Sequence, residues 1–365
     1  MDLERWIQRT LTLQAIPAPT FGEAERARCM LSEFRSAGLR EVEFDTLGNL
    51  YARVPGDNRP PVVVSAHLDS VFSPSTDLAH RRSRARLTGP GIGDNAVALA
   101  ALVELAGDLP DQRPAGDIWL VANVCEEGLG NLRGMTEVVG RFGKAVSAYL
   151  VLEGLALGHI YHRALPVRRY RLQARARGGH SWIHWDRPSA LHRLLRLGEQ
   201  LLQIPLPRDP RTTLNIGTMN GGRSINTIAD EATLDLDLRS ESDRALEELE
   251  SRIREIITRS QDELVRLRLE LVGSRPGGDL RPDHPLVLAA CESLRRNGER
   301  ERTLEAGSTD ASVPLNRGLP AICVGVTKGG EAHTLQEYVE IRPMRRGYLS
   351  LVQLIEAAFT LDDPP

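Results

Sequence analysis

Five segments of the sequence place histidine or carboxylate side chains where metal chemistry could occur. Four of them follow short apolar runs at residues 61–66, 117–124, 148–152 and 321–326, and the fifth is the glycine-rich loop 89–94. The candidate side chains are His67, Asp69, Asp94, Glu126, Glu127, Glu153 and His333. In an open α/β sheet, ligands bind beyond the carboxyl ends of the strands, so residues distant in sequence converge there. The pattern therefore predicts one shared site.

Two histidines and three carboxylates are sufficient to hold a bridged pair of divalent ions. One ion is predicted to bind His67 and Glu153, and the other Glu127 and His333. Asp94 and a water are predicted to bridge both, which gives each ion four ligands, the number that zinc prefers. The positive charge of two such ions exceeds the negative charge of three carboxylates. This excess favours ionisation of the bridging water to hydroxide and lowers its pKa towards roughly 7.

Two further acids have predicted roles beside these ligands. Glu126 is adjacent to a ligand and is predicted to take a proton from the water and pass it to the leaving amine, as general base and then general acid. Asp69 follows His67 by two residues on the same strand end, and it is predicted to orient a ligand. Together these roles predict the hydrolysis of an amide bond.

Other interpretations remain open from the residues alone. A histidine after a strand, or a pair of glutamates, is more often an ordinary structural feature. The loop 91–96 matches G-x-G-x-x-A, so an NAD-dependent oxidoreductase is an alternative, although Asp94 would repel a pyrophosphate and no acid ends a strand roughly 20 residues later. A non-catalytic binding protein of the same fold is a third possibility, which the presence of all five ligands and Glu126 disfavours.

The apolar runs also predict the elements that position these side chains. They are short, buried strands, and the Ala- and Leu-rich segment 96–109 between the first two predicts a helix. This alternation is typical of an α/β domain with a mostly parallel mixed sheet flanked by helices.

The pattern changes between residues 166 and 277. Strands are predicted at 169–177, 212–218, 232–239 and 263–272, and helices at 189–203 and 242–260. The order β-α-β-β-α-β is that of a ferredoxin-like α+β domain. The sequence therefore predicts a catalytic domain formed by residues 1–165 and 278–365, with an inserted domain at 166–277.

Composition limits the classes of partner. The net charge of -3 provides no basic field for nucleic acid, and no segment has the roughly 18 consecutive apolar residues of a membrane helix. The N-terminal residues contain no apolar run typical of a secretory signal, so a cytoplasmic location is expected. The four cysteines are far apart and include no Cys-x-x-Cys pair, which leaves histidine and carboxylate as the metal ligands.

The same residues, in this order, resemble the dinuclear zinc exopeptidases and aminoacylases, which include peptidase T, carboxypeptidase G and succinyl-diaminopimelate desuccinylase. The resemblance covers nearly the whole chain. The matching stretches are SAHLD (65–69), GIGDN (91–95), EEG (126–128), LEG (152–154), GGHS (178–181), the segment 224–239, GSTDA (307–311) and AHTL (332–335). The motifs GGHS and GSTDA are most similar to the peptidase-T-like branch.

This resemblance implies features that the residues alone would not show. It implies a zinc-exopeptidase-like fold with two Zn²⁺ ions per chain, or Co²⁺ or Mn²⁺, and a cis peptide bond after Asp94. The inserted domain would be a lid that forms a homodimer, in which His180 and Asn226 reach the active site of the neighbouring subunit. Arg239 would bind a substrate carboxylate, and Gly307 and Ser308 would also contact the substrate.

The resemblance leaves two substrate classes open. Members that attack from the amino terminus commonly carry Asp at the position of Glu153, whereas carboxypeptidases and deacylases carry Glu. We therefore expect an exopeptidase that acts on short peptides, of the carboxypeptidase or tripeptidase type. An N-acyl-amino-acid deacylase of the same family is the alternative.

Overall fold

The computed structural model describes residues 1–361. The helices are α1 (Leu3–Gln14), α2 (Ala24–Ser36), α3 (Val97–Asp108), α4 (Arg133–Phe142), α5 (Ala190–Leu202), α6 (Asp243–Arg259), α7 (Pro285–Arg296), α8 (Ser312–Asn316) and α9 (Ile341–Ala358). The strands are β1 (Val42–Phe44), β2 (Leu50–Val54), β3 (Arg59–His67), β4 (Arg81–Arg82), β5 (Arg86–Thr88), β6 (Gly116–Asn123), β7 (Ala148–Glu153), β8 (His159–Ala164), β9 (Val167–Ala176), β10 (Gly179–His180), β11 (Thr212–Gly221), β12 (Thr227–Ile228), β13 (Glu231–Ser240), β14 (Val265–Arg275), β15 (Gly278–Asp279), β16 (Thr303–Gly307), β17 (Ala321–Gly325), β18 (Gly329–Gly330) and β19 (Tyr338–Glu340).

The chain divides into two compact units. The first unit consists of Met1–Ala164 and the chain from Gly278 onward, and the second consists of Leu165–Gly277. Among residues 1–361, no helix is both long enough and apolar enough to cross a membrane.

The first unit is built on a nine-stranded sheet whose central strands run in the order β6-β3-β7-β17. These four strands are mutually parallel, so their carboxyl ends lie along one edge. Most of their residues are buried, as expected for a parallel sheet that helices cover on both faces. The predicted α/β fold with a parallel centre is confirmed.

The mixed sheet was predicted, but the individual antiparallel strands at its margins were not. The strands β1 and β2 extend one side of the sheet, and β8, β15 and β16 extend the other. The strands β1 and β15 have only three and two residues, and β8 contains two histidines and an arginine. Such strands lack the continuous apolar run that identifies a buried strand in sequence.

Helix α3 occupies the core of the first unit beside the sheet. All ten residues from 97 to 106 are buried, which explains why this segment is almost entirely Ala, Leu and Val. Trp6 of α1 is also buried, and its indole Nε1 donates a 3.0 Å hydrogen bond to the carbonyl of Val97. The first turn of α3 is therefore fixed directly after the glycine-rich loop.

The second unit has a four-stranded antiparallel sheet in the order β11-β13-β9-β14. With α5 between β9 and β11, and α6 between β13 and β14, the chain follows β-α-β-β-α-β. The alternating burial of β13 places Leu234, Leu236 and Leu238 in the core of this unit. A short pair, β10 with β12, is added to this ferredoxin-like framework.

Candidate metal centre

The parallel strands bring the candidate ligands of the first unit to one edge. His67 is the last residue of β3 and Glu153 is the last residue of β7. Glu126 and Glu127 follow β6, whose Asn123 pairs with His67 across the sheet. The convergence expected from the carboxyl ends of parallel strands is therefore present in the structure.

Asp94 lies between the two histidines. Its Oδ1 is 2.9 Å from Nε2 of His67, and its Oδ2 is 3.0 Å from Nε2 of His333. Nε2 of His67 is also 3.8 Å from Glu153 Oε2, and Nε2 of His333 is 3.2 Å from Glu127 Oε1. The cluster thus has two halves, each with one histidine and one glutamate, and they share Asp94.

Asp69 connects the strand ends on the buried side of this cluster. Its Oδ1 accepts a 2.9 Å hydrogen bond from the backbone N–H of Glu126, and its Oδ2 accepts a 2.8 Å bond from that of Glu127. The Thr20 hydroxyl also donates to Oδ2, at 2.9 Å. Nδ1 of His67 lies 3.0 Å from the carbonyl oxygen of Asp69. One fully buried carboxylate therefore fixes the segments that carry His67 and the glutamate pair.

Asn95 fixes the third strand end. Its side-chain amide donates a 2.8 Å hydrogen bond to the carbonyl of Leu152, and its Oδ1 accepts a 3.1 Å bond from the N–H of Gly154. The residue between them is Glu153. A Cβ atom at Gly154 would lie 2.0 Å from the Gly93 carbonyl oxygen, so only glycine permits this approach of the two loops. The predicted cis peptide bond between Asp94 and Asn95 is confirmed.

The charges in this cluster perturb one another strongly. Burial by itself would lower the pKa of His67, but the carboxylates of Asp69, Asp94 and Glu153 raise that pKa well above its usual value. Contacts with Asp94 and Glu127 raise the pKa of His333 to about 10. Burial raises the pKa of Glu153 to about 7. Two causes account for these shifts: the neighbouring carboxylates favour the charged form of the histidines, and burial disfavours the charged form of Glu153.

The donor set fits divalent metal ions. Asp94 Oδ1 is buried and makes no hydrogen bond among the described residues, because His67 Nε2 approaches it at short distance but outside hydrogen-bond geometry. Ligand atoms of His67, Asp94 and Glu127 all lie within 4.8 Å of one another. Atoms bound to a single zinc ion at roughly 2.0 Å lie about 3.3 Å apart in tetrahedral geometry. The 2.9 and 3.0 Å separations of Asp94 from the two histidines, and the 3.2 Å separation of His333 from Glu127, are close to that value.

Backbone strain is concentrated in the same loops. Of the seven non-glycine residues with positive φ in the described chain, six lie beside the candidate ligands or on segments bonded to them. They are Phe21, Cys125, Asn131, Leu132, Glu331 and His333. Such conformations cost free energy and persist where the surrounding structure enforces them, which is typical of functional sites.

The structure also reveals residues that the sequence did not identify as part of the site. Thr20 and Asn95 position ligand-bearing segments, as described above. Glu337 is fully buried, and its carboxylate accepts hydrogen bonds from the backbone N–H groups of Gly91, Gly93 and Asp94. Burial and the charge of Asp94 raise the pKa of Glu337 to about 7. No motif or periodicity in the sequence indicates which carboxylates turn inward in this way.

The remaining predicted residues occupy two other places. His180 and Asn226 lie on adjacent exposed segments of the second unit, where the Ser181 N–H donates a 3.0 Å bond to the Asn226 carbonyl. Arg239 lies on β13 and its guanidinium binds Asp237, at 2.7 Å from Nε to Oδ1.

Gly307 and Ser308 lie in the first unit, where Gly307 is the last residue of β16 and Ser308 comes directly after it. A Cβ atom at Gly307 would lie 2.6 Å from the ring of Tyr161. Ser308 is partly buried, two residues before the buried Asp310, whose Oδ2 accepts a 2.6 Å bond from the Asn123 side chain. Asn123 is the last residue of β6, so this segment is bonded to the strand that leads to Glu126.

A comparison with protein families identifies the chain. The model of Peptidase family M20/M25/M40 matches residues 63–357. The chain belongs to this family. It is therefore a hydrolase, and zinc dependence is typical of M20 peptidases. The predicted resemblance is confirmed.

Two sequence relatives show the range of similarity. YqjE of Bacillus subtilis, an uncharacterised protein, is 22% identical over 374 residues, which cover 97% of this chain and 98% of YqjE. A probable carboxypeptidase of Arthroderma benhamiae is 28% identical over 213 residues, which cover 52% of this chain but only 45% of the fungal protein.

Solved structures confirm the fold of this M20 chain. A tripeptidase of Staphylococcus aureus has a TM-score of 0.80 at 21% identity, with 98% of this chain and 99% of the tripeptidase covered. The aminopeptidase PepT of Bacillus cereus gives 0.75 at 22% identity, with the same coverage. YxeP of B. subtilis, a dinuclear metal-binding M20 peptidase, gives 0.68 at 16% identity and covers 99% of each chain.

The glycine-rich loop also excludes the dinucleotide interpretation. In a dinucleotide-binding turn, backbone N–H groups contact the pyrophosphate. Here the N–H groups of Gly91, Gly93 and Asp94 are already bound to Glu337. The loop is preceded by β5 of a small antiparallel sheet and not by a strand of the central sheet. The alternative of an NAD-dependent oxidoreductase is therefore wrong.

Proposed function

We propose that this M20 peptidase is an exopeptidase that cleaves short peptides with two metal ions bridged by Asp94. The observation that carries the proposal is the orientation of the Asp94 carboxylate, whose two oxygens face two different histidines at 2.9 and 3.0 Å. A carboxylate placed in this way can bind two ions at once. A single-ion site would need only one of these oxygens.

The flanking residues complete two ligand sets. His67 and Glu153 would hold one ion, and Glu127 and His333 the other. Zinc suits nitrogen and carboxylate ligands, and Co²⁺ or Mn²⁺ could replace it. Two such ions would polarise the scissile carbonyl and make a water nucleophilic near neutral pH.

Glu126 and Asp69 would supply the remaining chemistry. Glu126 is buried next to Glu127 and would accept a proton from the attacking water, then donate it to the leaving amine nitrogen. Asp69 accepts the N–H groups of both glutamates, so it would keep Glu126 oriented while Glu127 binds metal. Neither role requires a residue outside the first unit.

The second unit is proposed to act as a lid and to form a homodimer. Its large apolar side chains Trp182, Trp185 and Ile225 are almost fully exposed, and they lie beside His180 and Asn226 in the sequence. Exposed apolar residues grouped in this way are typical of an interaction surface. His180 and Asn226 would then complete the active site of the partner subunit.

Three further residues are proposed to contact the substrate. Arg239 would bind a substrate carboxylate after exchanging its present partner, Asp237, for the ligand. Gly307 and Ser308 follow a strand of the first unit and would contact the peptide backbone. The substrate would be a short peptide with a free terminus.

The direct test is metal content together with activity. The purified protein should contain about two zinc, cobalt or manganese ions per chain and should hydrolyse members of a panel of dipeptides and tripeptides. A chelator should abolish the activity, and zinc, cobalt or manganese should restore it. A protein that binds no divalent ion under these conditions would rule out the proposal.

An N-acyl-amino-acid deacylase is the second candidate, and Glu153 favours it alongside a carboxypeptidase. Paired substrates separate the possibilities. A carboxypeptidase should cleave a tripeptide with an acetylated N-terminus but not a tripeptide with an amidated C-terminus. An aminopeptidase should show the reverse preference. Rapid cleavage of N-acetyl amino acids with slow cleavage of every tripeptide would identify a deacylase.

A further inference from the structure

The Glu337 carboxylate occupies a cradle formed by the glycine-rich loop. Its Oε1 accepts hydrogen bonds from the N–H groups of Gly93 at 2.7 Å and Asp94 at 2.8 Å. Its Oε2 accepts a 3.2 Å bond from the N–H of Gly91. Backbone N–H groups of one loop that converge on one point form a concave anion site, and here the anion belongs to the chain itself.

This cradle depends on the backbone conformation of the loop. Gly91 has φ of 72°, a left-handed conformation that favours glycine, and beyond this turn the N–H groups of Gly93 and Asp94 point towards Glu337. The carbonyl of Glu337 also accepts a 2.8 Å bond from the N–H of Gly89. Residue 337 therefore makes four bonds to residues 89–94 and fixes the direction in which the Asp94 side chain leaves the loop.

Glu337 also belongs to the segment that carries the second histidine. Its own N–H bonds to the carbonyl of Thr334, the residue after His333. The next residue, Tyr338, begins β19 and pairs with Thr88 of β5, just before the glycine-rich loop. Two segments more than 200 residues apart in sequence are thus joined at the point where Asp94 Oδ2 meets His333.

We propose that Glu337 is a positioning residue of the metal centre. Its carboxylate holds the loop so that Asp94 directs one oxygen to each histidine, and so sets the affinity for the ions. Glu337 does not touch the substrate or the ions in this role. The inference rests on the proposed two-metal function, and it adds a residue to which that function assigns no part.

The most informative substitution is Glu337→Gln, which keeps the size of the side chain. Glutamine can keep its oxygen against the N–H groups of Gly93 and Asp94, but its NH₂ group then meets the N–H of Gly91, donor against donor. We expect Zn²⁺ affinity, measured by competition with a chromogenic chelator, to fall roughly 10- to 100-fold, as for other residues that orient metal ligands. The visible absorption spectrum of the Co²⁺ protein should also change.

The matched control is Glu104→Gln. Glu104 is another fully buried carboxylate, and it is bonded to Arg5 and Arg9 on α1 rather than to the site. The control should lower the melting temperature and leave Zn²⁺ affinity and the Co²⁺ spectrum within about twofold of the parent. A general loss of stability is thereby separated from a change at the metal centre.

Glu337→Asp provides a second variant if the glutamine variant does not fold. It keeps the negative charge but shortens the side chain by one methylene, so it should weaken Zn²⁺ binding and alter the Co²⁺ spectrum to a smaller extent. If the parent protein binds two ions and the folded Glu337 variants match it in affinity and spectrum, the positioning role is wrong and the proposed function stands. If the parent binds no ions, the proposed function itself is wrong.

Discussion

Two groups of carboxylates in this protein are neutralised in different ways. On the sheet of the second unit, Asp235 receives two hydrogen bonds from Arg171, at 2.8 and 2.9 Å. Asp237 is bonded to both Arg169 and Arg239. Every acid of this group has an arginine partner in the folded chain.

The three carboxylates proposed as metal ligands have no such partner. Among residues 1–361, no arginine or lysine forms an ion pair with Asp94, Glu127 or Glu153, and a buried oxygen of Asp94 makes no hydrogen bond. The neighbouring carboxylates raise the pKa values of both histidines, as expected where acidic groups outnumber basic ones. An arginine-paired cluster is neutralised within the chain, whereas this one has a negative charge that bound cations would neutralise.

The largest effect that the comparison predicts is that of Asp94→Asn. The amide removes a negative charge and one oxygen from the bridge, so one or both ions should be lost. Activity should fall by more than the roughly 10²- to 10⁴-fold expected from losing a general base. Metal analysis and peptide hydrolysis measured on the same sample would check both effects.

The matched control is Asp237→Asn on β13. It should leave metal content unchanged, because the residue belongs to the second unit and is neutralised by arginines. Equal metal loss in the two variants would remove the distinction between the two carboxylate groups.

An intermediate effect is expected for Glu126→Gln. The variant should keep two ions per chain, since Glu126 is not a proposed ligand, while kcat falls roughly 10²- to 10⁴-fold. In this variant kcat should therefore fall while metal content stays constant, whereas in Asp94→Asn both should fall. Near parental turnover would show that another group moves the proton.

The smallest effect concerns stability as a function of pH in the metal-free protein. In the folded state the pKa of His333 is raised to about 10 and that of Glu153 to about 7. The folded state therefore binds more protons than the unfolded state over this pH range. Stability from this centre should therefore fall as pH rises from about 5 to 10. Added zinc should reduce this loss, because bound metal replaces the protons.

The arginine-paired acids should behave in the opposite way. The hydrogen bonds from Arg171 lower the pKa of Asp235, so its contribution to stability is present at neutral pH and is lost in acid. Urea unfolding of chelator-treated protein at several pH values, with and without zinc, would measure the loss of stability at high pH and the loss in acid. A metal-free protein whose stability does not fall above about pH 5 would contradict the charge deficit inferred for the centre.

The sequence predicted those parts of the structure that depend on continuous patterns. Apolar runs placed β3, β6, β7 and β17 within three residues of their observed bounds at either end, because strands buried on both faces need uninterrupted apolar residues. The ends of these strands also predicted that His67, Glu127 and Glu153 converge. Strand and helix order in the second unit was also predicted, since alternating burial leaves a clear signal in segments such as β13.

The supporting residues of the site could not be predicted in this way. Asn95 and Glu337 act through hydrogen bonds to backbone groups of distant segments, and Thr20 acts through a hydrogen bond to the Asp69 carboxylate. Such bonds leave no periodicity and no spacing rule, because each depends on how two loops meet in three dimensions. Only the three-dimensional positions of the backbone N–H and C=O groups and of the Asp69 carboxylate define these contacts.

The contact between Asp94 and His333 joins residues 239 positions apart in the chain. Ions bound at this contact would act as reversible cross-links between the early and late parts of the first unit. Because they bind only the folded arrangement, each would raise the free energy of unfolding by about 4 kcal/mol at a metal concentration roughly 1,000 times its Kd. Availability of metal would then control the lifetime of the folded protein against proteolysis as well as its catalysis.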